Sequence, residues 1–179
     1  MAAHDHDPMN LADTALYSTR WHSPVGELLL VCHEQALCGC WFGDQQGIPT
    51  WTGLAQEKPD HRLLAQVCSQ LQAYFDGQRR EFELPLDDSH GTPFQRAVWQ
   101  ALRQLRYGQT VSYGELARML ERPRAVRALG AAVGRNPLAI LLPCHRVIGA
   151  NGSLTGYTGG LARKAFLLQL EQVERLFPS

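Results

Sequence analysis

A chain of 179 residues, 45% apolar and 19% charged, has material for one generous domain or two small ones with a buried core. No run approaches the roughly eighteen apolar residues of a membrane span, the start is no secretory signal, and five cysteines, an odd number, argue for reduced thiols over a disulfide framework. A cytoplasmic protein with no membrane partner is expected, and its zero net charge hides a division: residues 1–90 hold five Lys+Arg against thirteen Asp+Glu, residues 91–179 twelve against four. Only the second half suits a polyanion, so nucleic acid is its expected partner.

Residues 1–13 are polar and read as a disordered tail, and residues 14–90 as a small α/β domain. Residues 15–22, 27–33 and 36–42 predict a three-stranded meander, with turn chemistry at Ser23-Pro-Val-Gly26. Cys32, Cys38 and Cys40 share parity, which places them on one strand face as small apolar filler; without a tight C-x-x-C pair no bound metal is expected. Over residues 60–75 the spacing turns helical, with Leu63, Leu64, Val67, Leu71 and Phe75 on one stripe and a stop at Asp76-Gly77. Residues 81–84 alternate like a further short strand.

The polar, turn-rich residues 84–91 mark a boundary, and residues 91–179 form the second domain. Thr92, Pro93 and Gln95 make a capping box, with Phe94, Val98, Leu102 and Leu105 inward. Ser112-Tyr-Gly-Glu115 makes a second box, opening a helix with Leu116, Ala117 and Leu120 inward; a third helix begins near Pro123 and stops at Gly134. The last two read as helix-turn-helix. The third offers small residues, among them Ala128 and Ala131, with Arg122, Arg124 and Arg127 about its start. That composition suits close backbone approach to a minor groove with phosphates held by the arginines, and equally a tightly packed internal helix.

Cys144 and His145 sit in an apolar run, residues 140–149. A free thiol is only a few per cent thiolate at neutral pH, so a nucleophilic cysteine needs a base or a positive field, and His145 and Arg146 offer both; a buried structural cysteine is the alternative. Residues 149–160 carry five glycines around Tyr157, the composition of a close-approach loop. A final helix from Leu161 places Leu161, Leu168 and Glu171 on similar faces, a carboxylate beside an apolar stripe.

Pro143-Cys-His-Arg-Val-Ile-Gly149, preceded by Arg127-Ala-Leu-Gly130 and Arg135-Asn-Pro137 and followed by Gly156-Tyr-Thr-Gly-Gly160 and Leu167-Leu-Gln-Leu-Glu171, resembles the O6-alkylguanine-DNA alkyltransferase family, in its bacterial constitutive form. The resemblance is close from residue 91 to 171 and weak in the meander. It implies an α+β protein, with an N-terminal ribonuclease-H-like α/β domain and a C-terminal, mainly helical, winged-helix-like domain holding the helix-turn-helix. The implied activity is direct-reversal repair of double-stranded DNA. An O6-alkylguanine, or an O4-alkylthymine, is flipped through the minor groove, and its alkyl group passes irreversibly to Cys144, once per chain and without a cofactor. Carried over residue by residue, His145 acts on Cys144 through a bridging water, Glu171 orients the imidazole, Tyr113 helps neutralise the departing base, and Asn136 is the hinge. Tyr157, Thr158, Val147 and Gly159 form the substrate pocket. Arg127 fills the vacated stack, with Arg124, Arg122, Ala128, Ala131 and Arg135 on the DNA. Vertebrate zinc ligands fall on His33 and Cys38 with types exchanged and no clear third or fourth partner, so no zinc is expected, and the protein is expected to act as a monomer.

Three rivals use fewer of these residues. A non-catalytic damage binder of the same fold leaves Cys144 without a role. A Cys-His-Glu hydrolase ignores the helix-turn-helix and Arg127, and a sequence-specific regulator leaves Glu171 and Tyr157 unexplained.

Overall fold

The computed structural model describes residues 10–172 apart from residue 12. The expected tail therefore lies outside the described residues up to residue 9; beyond it, Asp13 N–H bonds the Asn10 carbonyl and Leu11 packs against the sheet. Strands β1 (Tyr17–Ser23), β2 (Gly26–Cys32) and β3 (Leu37–Phe42) form the antiparallel meander. Its first turn closes on Gly26 at φ +112, where Ser23 Oγ donates to the Gly26 carbonyl at 2.6 Å. A two-residue strand β4 (Gln56–Glu57) adds parallel to β1, giving the order β3-β2-β1-β4.

Helix α1 (Arg62–Phe75) packs on one sheet face, burying Leu63, Leu64, Val67, Leu71, Tyr74 and Phe75 with Leu28, Leu30, Cys40 and Phe42. The shared parity of the cysteines fails. Cys38 is the extra residue of a bulge, since Val31 pairs with Gly39 while Cys32 pairs with Leu37. It turns to the opposite face, with Leu29, Val31 and Trp41, while Cys32 and Cys40 stay with α1. Gly39 is forced by the same packing, because a Cβ there would lie 2.0 Å from the Trp41 ring.

Residues 81–84 are not a strand. Gln70 of α1 takes both backbone groups of Glu83, donating to its carbonyl at 3.1 Å and accepting its N–H at 2.9 Å. The chain meets the sheet only afterwards, where Leu37 bonds Pro85 and Asp87.

Both capping boxes form. Thr92 and Gln95 open α2 (Pro93–Leu102); Ser112 and Glu115 open α3 (Tyr113–Met119). Helix α4 (Val126–Gly134) follows and starts without a side-chain cap. It packs on α2, where the Trp99 indole donates to the Ala132 carbonyl at 2.9 Å, and on α3. The short strands β5 (Val111–Ser112) and β6 (Val147–Ile148) pair in parallel, and α5 (Leu161–Leu170) closes the chain. Leu161 is half exposed at the start of α5, so the inward face of that helix is Lys164, Leu167 and Leu168, ending at Glu171. Among the described residues no helix is long and apolar enough to cross a membrane.

Candidate active site

The segment leading to Cys144 is held from both halves of the chain. Cys40 of β3 donates to the Pro137 carbonyl at 2.8 Å and accepts from Ala139 N–H at 3.0 Å, so the edge of the N-terminal sheet pairs with the run that follows α4. Asn136, buried at the end of α4, accepts from Leu138 N–H at 2.9 Å and donates through Nδ2 to the Leu142 carbonyl at 2.8 Å and to Cys144 Sγ at 3.1 Å. Between these anchors Ile140 is held at φ +72, a conformation costing a β-branched residue about 1–3 kcal/mol. The chain then makes a single 3-10 turn, Cys144–Arg146.

His145 is fully buried, its Nε2 2.8 Å from Glu171 Oε1. A carboxylate only accepts, so Nε2 carries the proton and Nδ1 the lone pair. Nδ1 has no hydrogen-bond partner among the described residues. Burial lowers His145 below the ordinary imidazole range against the opposing pull of Glu171, so the ring rests neutral with a basic nitrogen available. Burial works to raise Glu171, but His145 and Arg146 outweigh it and bring the carboxyl down to about 2.

Arg146, read from sequence as a field for the thiol, serves Glu171 instead. Its Nε and Nη2 reach the two carboxylate oxygens at 2.9 and 2.8 Å, and Nη1 reaches the Leu105 carbonyl. The positive field at Cys144 comes from Lys164, whose charge lowers the thiol pKa while its buried ammonium donates to the carbonyls of Val147 at 2.6 Å and Thr155 at 3.0 Å. Burial brings Lys164 down to about 8. Burial also raises the Cys144 thiol, and Asn136 and Lys164 offset that only in part, so the resting sulfur keeps its proton.

Two residues that sequence reasoning missed complete the surroundings. Tyr74 of α1 donates to Glu171 Oε1 at 2.8 Å; its place three residues after Leu71 on the buried stripe was the available signal. Lys164 carried one too, four residues before Leu168 on the inward face. Phe42 and Gln45 of the N-terminal half wall the thiol pocket with Asn136, Ala139, Tyr157, Thr158 and Gly159. That pocket leaves about 20 Å³, room for a methyl group or one water.

Beside it lies an open cleft of about 570 Å³, lined by Tyr113, Val126, Arg127, Gly130 and the loop residues Thr155 to Thr158. Tyr113 and Arg127 thus face the space next to the thiol. The Thr158 hydroxyl is committed to the Gly134 carbonyl at 2.6 Å, and Val147, expected in the substrate pocket, is fully buried and lines neither cavity, its carbonyl accepting from Lys164. A larger concavity of about 600 Å³ lies along α1 at Glu34, Lys58 and His61, where His61 caps the helix and no reactive thiol faces in.

Ala128 and Ala131 lie on the exposed face of α4, and the side chains of Arg124, Arg127 and Arg135 are exposed without hydrogen bond or ion pair among the described residues. Arg122 differs: its guanidinium lies over the Phe94 ring at 5.7 Å. His33 pairs with Asp87 at 3.0 Å and the Cys38 thiol donates to the Val31 carbonyl at 3.4 Å, on separate partners.

Small residues flanked by unpaired arginines, on the helix that precedes a donor-held cysteine, indicate a DNA-directed protein. Residues 16–87 match the ribonuclease-like domain of 6-O-methylguanine DNA methyltransferase and residues 93–173 its DNA-binding domain. The methylated-DNA–protein-cysteine methyltransferase of Mycobacterium leprae is 49% identical over 150 residues, 84% of this chain and 88% of that protein. The constitutive methyltransferase of Bacillus subtilis is 42% identical over 160 residues, 88% and 96% of the two. A crystal structure of Mycobacterium tuberculosis OGT in complex with DNA superimposes with a TM-score of 0.80 at 43% identity, covering 87% of this chain and 92% of that one. The chain belongs to the 6-O-methylguanine DNA methyltransferase family.

Proposed function

We propose that this chain repairs alkylated DNA by direct reversal: it binds the duplex through α4, takes a flipped O6-alkylguanine into the 570 Å³ cleft, and accepts the alkyl group on Cys144. The observation that carries this is the arrangement at the thiol, where Asn136 donates to Sγ while His145, neutral and oriented by Glu171, keeps a free basic nitrogen.

In the step proposed, the thiol proton passes to His145 Nδ1 through a water, and Glu171 stabilises the imidazolium. Sulfur attacks the alkyl carbon, the carbon–O6 bond breaks, and its electron pair leaves with the guanine. Tyr113 supplies the leaving base with a proton and regains one through water from the His145 imidazolium, so that the thiol proton ends on guanine, and Arg127 fills the place in the stack that the flipped base left. The product is a thioether that no group in the site can cleave, so each chain acts once. The alkyl donor is DNA, no cofactor enters, and every group the step uses lies on one chain, which fits a monomer. Five free cysteines fit a reducing compartment such as the cytoplasm. The two family matches support a division into an N-terminal domain of residues 14–90 and a C-terminal domain of residues 91–179.

The test is stoichiometry. Purified chain titrated with a duplex containing one O6-methylguanine, without additives, restores guanine up to one equivalent per chain and then stops. Continued turnover, or tight binding with no restoration, refutes the proposal.

A further inference from the structure

We propose that Tyr74, from the N-terminal half, is a positioning residue of the alkyl-transfer relay: by donating to the carboxylate oxygen that His145 also uses, it controls how readily His145 takes the thiol proton. The inference rests on the function proposed above.

Glu171 Oε1 accepts three donors, the Tyr74 hydroxyl, His145 Nε2 and Arg146 Nη2, each at 2.8 Å, while Oε2 accepts Arg146 Nε. Charge drawn toward one donor is not available to the others. Without the Tyr74 hydroxyl, Oε1 holds the imidazolium more strongly and His145 keeps a proton to higher pH. Tyr74 acts only as a donor, because burial pushes its phenol far above the ordinary range. The other groups facing His145 and Glu171 are Cys144 and Arg146 of the active segment, Lys164 of α5 and Tyr107 before β5. Of these the Lys164 and Arg146 cations disfavour a protonated His145, so the carboxylate is what Tyr74 can adjust. The ring itself is held by edge contacts with Phe75 and Tyr107 and a tilted one with Phe82, so Tyr74→Phe removes the hydroxyl without opening a cavity.

The experiment is single-turnover transfer from an O6-methylguanine duplex between about pH 4.5 and about pH 9, with a melting curve for each protein. For Tyr74→Phe the acid limb moves up by about one pH unit, which is roughly a tenfold loss on the acid side of the limb, while the alkaline plateau stays within about twofold. Site-specific 3-fluorotyrosine at position 74, a more acidic and stronger donor, moves the limb down by a few tenths of a unit, about a twofold gain on the acid side of the limb; it decides the matter if the Phe variant does not fold. A loss equal at all pH values, or an unshifted limb in a folded variant, overturns the inference and leaves Tyr74 a packing residue. Absence of transfer by the unaltered chain instead refutes the functional reading, and this inference with it.

Discussion

Two regions of this molecule bury cysteines, and they surround the sulfur differently. In the sheet, Cys32 and Cys38 are pushed by burial up to about 12, and Cys40 is raised further still. Cys38 donates to a carbonyl, which uses its proton and does nothing for a thiolate. Cys144 is also buried, yet Asn136 aims an N–H at its sulfur and Lys164 adds a positive charge. Burial alone makes a thiol inert, and donors directed at sulfur are what separate the two regions.

The largest effect is expected for Cys144→Ala, which abolishes transfer while leaving duplex binding within about twofold, because Arg127 on α4 and Arg124 and Arg135 beside it are untouched. Loss of both in a binding titration would make Cys144 structural. Asn136→Ala removes the donor at the sulfur and is expected to slow single-turnover transfer about 100-fold, the size seen when one preorganised donor is lost. Arg127→Ala is expected to cost about tenfold on duplex and nothing on free O6-alkylguanine, since a group that fills the stack matters only where a stack exists. Equal losses on both substrates would remove that role.

Stability against pH sharpens the same contrast from the carboxylate side. Glu171 falls from 4.5 to about 2 on folding, so its contribution is complete above pH 4.5 and is lost as pH falls toward 2. The melting-temperature gap between the native chain and Glu171→Gln is therefore expected to narrow steadily over that window. An unchanging gap would mean that Glu171 acts through packing alone. The smallest effect belongs to the sheet: Cys40→Ala is expected to leave the transfer rate unchanged and cost about 1 kcal/mol in denaturant unfolding, the price of a small cavity.

What the sequence made legible was local. The capping boxes at Thr92 and Ser112 and the stripe of α1 depend on neighbours three or four residues away, and they stand in the structure as read. The set of Cys144, His145, Glu171 and Asn136 came from the family resemblance of the C-terminal motifs, and the structure brings Asn136 to Cys144 and Glu171 to His145. The bulge at Cys38 was hidden because register depends on the partner strand, and residues 81–84 alternate like a strand although a side chain of α1 takes the backbone groups. Tyr74 and Glu171 are 97 residues apart, and nothing in the spacing of either announces the other. Lys164 drew no reading from sequence, and the packing of α5 against the active segment shows why its ammonium is buried.

The most direct test of the contrast is intact-mass and peptide mapping after reaction with a duplex carrying one O6-methylguanine. A gain of roughly 14 Da, one methyl for one hydrogen, is expected on the peptide holding Cys144 alone, with Cys32, Cys38, Cys40 and Cys68 unmodified. A methyl group on any sheet cysteine, or spread among several, would contradict the claim that directed donors rather than exposure or chance select the acceptor.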